Sequence, residues 1–202
     1  MPRTRQIARD EVPEDFQEIF ERLFPGGRDP RVEPGTSTGT PGDWWTTMAL
    51  VPEVMRAYWT SYQEAAKTEA IDPTLREIGI MRSGFNSQSQ FVFSQHCKAA
   101  RSVGVSPPKI EAIPSSGSSD EFTPLERAVL AYADDLTLQD GRVQDGTFAA
   151  LQAELTDEAI LQLTWIVLGF QFYALLSRSL RMEFNNVPER VQEIPMSSGS
   201  GN

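Results

Sequence analysis

His96 and Cys97 are the chain's only histidine and only cysteine, and they are neighbours. Histidine is the one side chain whose unperturbed charge change falls near neutral pH, so it is the natural proton carrier of a site. Upstream lies Glu77. A carboxylate holding one imidazole nitrogen fixes the tautomer and favours the imidazolium, which leaves the other nitrogen to exchange a proton with a substrate. Spacing allows that pair without showing it, and two plainer readings compete. His96 could be a satisfied core residue, and Glu77 could be an ion-pair partner of Arg76 or Arg82.

Ser89 precedes His96 by seven positions. On a helix Ser89, Val92 and His96 would form one stripe, with Phe85 and Phe93 near its edge. Seven helical residues span about 10.5 Å, whereas a serine nucleophile must sit about 3 Å from its base. A direct serine–histidine couple is therefore disfavoured, and Ser89 is expected to hydrogen-bond a substrate or a backbone carbonyl. Cys97 would point about 100° away from His96 and reads as buried packing.

The elements that must position these residues read as helices throughout. Apolar residues from Phe16 to Phe24 recur at helical spacing, and Pro25-Gly26-Gly27 ends that segment. Residues 28–43 form a long polar loop or arm. Asp43 is placed to cap a short helix opening at Trp44 and Trp45, and a further helix follows Pro52. Asp72-Pro73 is a strong start signal for a helix carrying Glu77 and ending near Ser83-Gly84. A helix over 86–104 follows, stopped by Gly104, then a short one from Pro107 to Ile113. Thr123-Pro124-Leu125-Glu126 has the form of a capping box. A brief helix should turn Phe148 and Leu151 inward. Thr156 then caps a long apolar helix ending near Phe184. No segment alternates with the period of a strand, so the fold class is all-α.

Glu77, the polar break after it, and the helix with His96 and the Ala100–Gly104 ending together resemble the core motif of the carboxymuconolactone decarboxylase family, within the AhpD-like superfamily. In the peroxidase branch that motif carries two cysteines, and Ser89 and Val92 stand at their positions. The resemblance implies an AhpD-like helical bundle in which Glu77 meets His96, assembled as a trimer or hexamer through its core helices. It implies a cofactor-independent enzyme acting on a small oxygenated acid, lactone or polyketide-like metabolite, and one histidine beside one cysteine excludes the usual zinc ligand sets, so no metal is expected. His96 would transfer the proton and Glu77 orient it, with Ser89 or Arg82 contacting the substrate. A thiol peroxidase needs a reactive thiolate and a resolving thiol, which these positions lack. The alternatives are an alkylhydroperoxidase-like protein without its thiol pair and a non-catalytic oligomeric binding protein. Trp44, Trp45, Phe91, Phe93, Trp165, Phe170 and Tyr173 are candidates to line a pocket, each against a core role. Trp44 and Trp45 could equally form a lid or a subunit contact. Asp134-Asp135 reads as a solvated helix face.

A chain of 202 residues suits one domain with loose ends. The expected division is an arm over 1–43, a helical domain over 44–190 and a disordered tail over 191–202. One cysteine excludes an internal disulfide. A net charge of −10 argues against nucleic acid and anionic membranes as partners. Residues 161–180 are interrupted by polar side chains and read as a buried helix rather than a bilayer span. With no apolar run behind the first arginines, the expected location is cytoplasmic.

Overall fold

The computed structural model describes residues 2–35, 42–67 and 70–182. Every regular element among them is helical. They divide into two compact units, one over residues 2–67 joined by 176–182, the other over 70–175. The division thus falls after Lys67 and not at position 43. The expected 191–202 tail and most of the arm's far end lie outside the described residues.

The first unit holds α1 (Glu14–Leu23), α2 (Gly42–Met48) and α3 (Pro52–Lys67). Its centre is aromatic. Phe20 packs on Phe24 at 5.6 Å between ring centroids and meets the edge of Trp45 at 6.3 Å. Trp44 lies edge-on to Tyr58 at 5.3 Å. Asp43 falls inside α2 rather than capping it, and its Oδ1 accepts a 2.8 Å hydrogen bond from Gln6.

The second unit begins with α4 (Pro73–Asn86). Asp72 caps it as expected, its side chain accepting from the backbone amides of Thr74 and Leu75. The helix ends at Asn86, two residues past Ser83-Gly84. A turn follows, with Gln88 in the left-handed region at φ 53°. Ser89 then caps α5 (Gln90–Ser102), and Gly104 at φ 94° ends the connection. After α6 (Pro107–Ala112), Thr123 and Glu126 form the reciprocal capping box that opens α7 (Pro124–Leu138). In α8 (Asp145–Gln152) Leu151 is buried, but Phe148 remains 37% exposed. α9 (Asp157–Leu180) stops four residues short of Phe184, with Arg181 left-handed after it.

α4 lies against both α5 and α7, and small residues let α9 approach it. A Cβ on Gly79 would come within 3.1 Å of Leu163 and Val167, and the Ser83 hydroxyl donates to the Val167 carbonyl at 3.0 Å. Around this crossing Ile78, Met81, Phe93, Val129, Leu163 and Val167 are all fully buried.

Candidate active site: a carboxylate–imidazole pair between two helices

Glu77 leaves the middle of α4 and His96 the middle of α5, where the two helices pack. The approach is close because Gly84 has no side chain. A Cβ there would lie 2.9 Å from the backbone nitrogen of Phe93 and 3.0 Å from Val92. In this geometry Glu77 Oε2 meets His96 Nδ1 at 2.7 Å. The other carboxylate oxygen, Oε1, accepts from Arg76 Nε at 3.1 Å. Side-chain exposure is 4% for Glu77, 13% for His96 and 18% for Arg76. The acid is thus sealed while the imidazole keeps an opening. Phe170 of α9 stands edge-on to the imidazole, with centroids 4.2 Å apart and planes at 75°, and Tyr173 lies edge-on to Phe170 at 5.7 Å.

Burial pushes the Glu77 carboxyl up, but the hydrogen bond and charge of His96 and those of Arg76 outweigh it, so the group titrates below its ordinary value. At neutral pH Glu77 is therefore an anion, able only to accept, and Nδ1 must carry the proton. Nε2 has no protein partner among the described residues. It is the atom left to take or give a proton.

That depressed carboxyl has a consequence for stability. A group whose folded pKa lies below its unfolded value contributes stability that is complete above the unfolded value, here about 4.5, and is lost as pH falls through the folded value. Urea unfolding should therefore show wild type weakening as pH falls from about 5 toward 3. Glu77→Gln should start from a lower plateau and decline less steeply. Parallel acid limbs in the two proteins would remove Glu77 from this role.

The other sequence-derived candidates are placed differently. Ser89 is not within the helix, so the single stripe of Ser89, Val92 and His96 does not exist. Its hydroxyl is fully buried and accepts from the Val92 amide at 3.3 Å, which is a capping role. Val92 is buried as well. Arg82 is committed elsewhere: Nε and Nη2 grip both oxygens of Asp134 at 2.6 and 2.9 Å, and Nη1 donates to the Ile113 carbonyl. Asn86 adds a third hydrogen bond to Asp134. Asp134 is therefore an ion-pair partner rather than a freely solvated side chain, while Asp135 accepts from the Gln144 amide. Phe93 is fully buried, 6.2 Å from Phe85, and Phe91 is 8% exposed. Trp44 and Trp45 belong to the aromatic centre of the first unit. Trp165 points outward at 65% exposure, and Cys97 is fully buried. Sequence reasoning ranked Phe170 no higher than the other aromatics and gave Arg76 only a structural role. The signal for the helix approach was there in Gly79, Ser83 and Gly84, three small residues on one helix. Among the described residues no three His, Cys, Asp or Glu side chains are grouped to hold a metal ion.

Comparison with known proteins follows the same lines. Residues 52–135, which include Glu77 and His96, match the model of the carboxymuconolactone decarboxylase family. Nothing among curated proteins matches the chain significantly. A peroxidase-related protein from Ralstonia eutropha JMP134 with an alkylhydroperoxidase AhpD core superposes with a TM-score of 0.71 at 17% identity, covering 93% of this chain and 98% of that one. The debrominase Bmp8, solved as a cysteine-to-alanine variant with 2,3,4-tribromopyrrole, superposes at 0.69 with 16% identity, covering 90% and 92%. A peroxidase-related protein from Silicibacter sp. TM1040 gives 0.67 at 15% identity, covering 85% of each chain. At these identities the likeness is one of fold. The segment that carries the acid and the imidazole is thus similar to the carboxymuconolactone decarboxylase family, and the all-α fold is that of the AhpD-like structures.

Proposed function

We propose that the chain is a cofactor-independent proton-transfer enzyme of the carboxymuconolactone decarboxylase type. Its substrate would be a small oxygenated organic acid, lactone or polyketide-like metabolite. The observation that carries this reading is the 2.7 Å contact between a sealed, ionised Glu77 and an imidazole whose second nitrogen has no protein partner among the described residues. In a decarboxylation the bond to the carboxyl carbon breaks, carbon dioxide leaves, and the electron pair passes into an enolate. Protonated Nε2 then delivers its proton to the carbanionic carbon. Glu77 stabilises the imidazolium before that transfer and holds the ring in place throughout. Phe170, edge-on to the imidazole at 4.2 Å, limits rotation of the ring.

The test is a panel of β-keto acids, β,γ-unsaturated acids and lactones in deuterated buffer, with carbon dioxide release and deuterium incorporation as readouts. Turnover of any one supports the reading. A folded protein that releases no carbon dioxide and incorporates no deuterium across the panel would overturn it in favour of a binding protein.

A thiol peroxidase cycle is not expected, because Cys97 is the only cysteine and is fully buried. Hydroperoxide consumption with a dithiol reductant should be at background and equal in wild type and Cys97→Ser. Robust wild-type turnover that disappears in Cys97→Ser would reverse this expectation.

A further inference from the structure

The two arginines of α4 spend their donors differently. Arg82 has Nε, Nη1 and Nη2 all engaged. Arg76 uses Nε alone, on Glu77 Oε1 at 3.1 Å. Its Nη1 and Nη2 have no hydrogen-bond or ion-pair partner among the described residues, although the side chain is only 18% exposed. Neither nitrogen is enclosed, so both stay open to a solute. Asp72, one turn earlier, is within electrostatic reach of Arg76, but it is exposed and accepts from the Thr74 and Leu75 amides. We propose that the open end of Arg76 binds a carboxylate of the ligand, which makes Arg76 a specificity-determining residue of the His96 site. The inference rests on the reading of His96 as the centre of a ligand site.

Geometry favours an anion there. The two Nη groups at the end of a guanidinium form a planar fork that matches the two oxygens of a carboxylate. Glu77 divides its own oxygens between Arg76 and His96. The guanidinium and the imidazole are therefore neighbours across a single carboxylate, a span that a small organic acid can bridge.

Charge counting points the same way. In the state that delivers a proton, Arg76 and the imidazolium carry two positive charges against the one negative charge of Glu77. An anionic ligand offsets the second where Glu77 is sealed from water and an unbalanced charge is costly. The long-range field of a chain of net charge −10 repels anions, so capture depends on a local cation. Held this way, the carboxylate is an anchor and not the group lost. Gripping an anion that must leave as carbon dioxide would stabilise the ground state more than the transition state.

His96 is the only imidazole of the chain, so its ring signals in a nitrogen-15 NMR spectrum report this site alone. Benzoate is the probe, chosen because the ring of Phe170 borders the imidazole, and methyl benzoate is its uncharged counterpart. Benzoate should shift the wild-type ring signals saturably. Methyl benzoate should bind about tenfold or more weakly, the scale of a charge-assisted hydrogen bond. Arg76→Gln should lose that discrimination while its free imidazole keeps the Nδ1–H tautomer set by Glu77. Arg76→Lys, which keeps a charge beside Glu77 without the fork, should recover only part of the benzoate affinity. Equal binding of acid and ester to wild type would overturn the proposal, as would ring signals that benzoate never moves. Wild-type benzoate affinity in Arg76→Gln would do the same. Loss of the Nδ1–H tautomer together with benzoate binding would also overturn it, since Arg76 would then act only through Glu77. No turnover enters this readout, so benzoate held by Arg76 in a protein that turns over none of the substrate panel would sustain the inference while removing the proposed chemistry.

Discussion

His96→Gln should keep the fold and lose about 10²- to 10⁴-fold in turnover, the usual contribution of a positioned acid–base group. Glutamine can still place an amide N–H toward Glu77, so the buried acceptor keeps a donor and the helices keep their contact. What disappears is the atom that takes and gives the proton. Glu77→Gln should cost less. Its amide oxygen can accept from Nδ1–H and hold the ring, but it cannot stabilise the charged imidazole or keep the anion that Arg76 now faces. The two defects should also differ in form. His96→Gln removes the group that carries the proton, whereas Glu77→Gln leaves it in place and removes only the anion that supports it. The measurement is a pH–rate profile for the three proteins on whichever compound of the acid and lactone panel wild type turns over. Full activity in a folded His96→Gln variant would take the imidazole out of the mechanism, and the proposed chemistry with it.

How far the site could be read in advance depended on whether a signal was local. The Asp72-Pro73 start of α4 and the Thr123–Glu126 box of α7 are complete within four residues, and the structure forms both. Glycine commonly stops helices, so the sequence alone places the end of α4 near Ser83-Gly84. Gly84 lies inside α4, kept without a side chain by a contact with α5 that no local pattern reveals. The true end uses Gln88 in a left-handed turn, with neither Gly nor Pro to mark it. Ser89 then became a cap instead of a member of the His96 stripe. Pairings between distant positions were less legible still. Arg82 and Asp134 are 52 residues apart and are joined only by the packing of α4 on α7. Glu77 with His96 was legible through the family's motif, because spacing alone permits many partners for one carboxylate. The exposed face of α9 could not be separated from its buried face by composition, since both are apolar. Only the packed structure shows which side the core uses.

Gly84→Val should destabilise the protein by about 3 kcal/mol, toward the upper end for enlarging a packed position. The reason is the kind of atom it would strike. The added Cβ would sit 2.9 Å from the Phe93 backbone nitrogen, inside the first turns of α5, and 3.0 Å from Val92. Backbone cannot rotate away as a side chain can, so the clash must be relieved by moving α4 and α5 apart. Both neighbours are buried, with no solvent side toward which to yield. Such a shift also lengthens the contact between Glu77 and His96, and a hydrogen bond of 2.7 Å tolerates little displacement before it weakens. Stability and activity should therefore fall together, although residue 84 contacts no reacting group. Gly146→Ala is the control. That glycine lies in α8 with open space where its Cβ would stand. Replacing it should leave activity unchanged and add roughly 0.5–1 kcal/mol through helix propensity. Urea unfolding with rate measurements on the same preparations reads both effects. A Gly84→Val protein as stable and as active as wild type would show that α4 and α5 are not held together at this crossing.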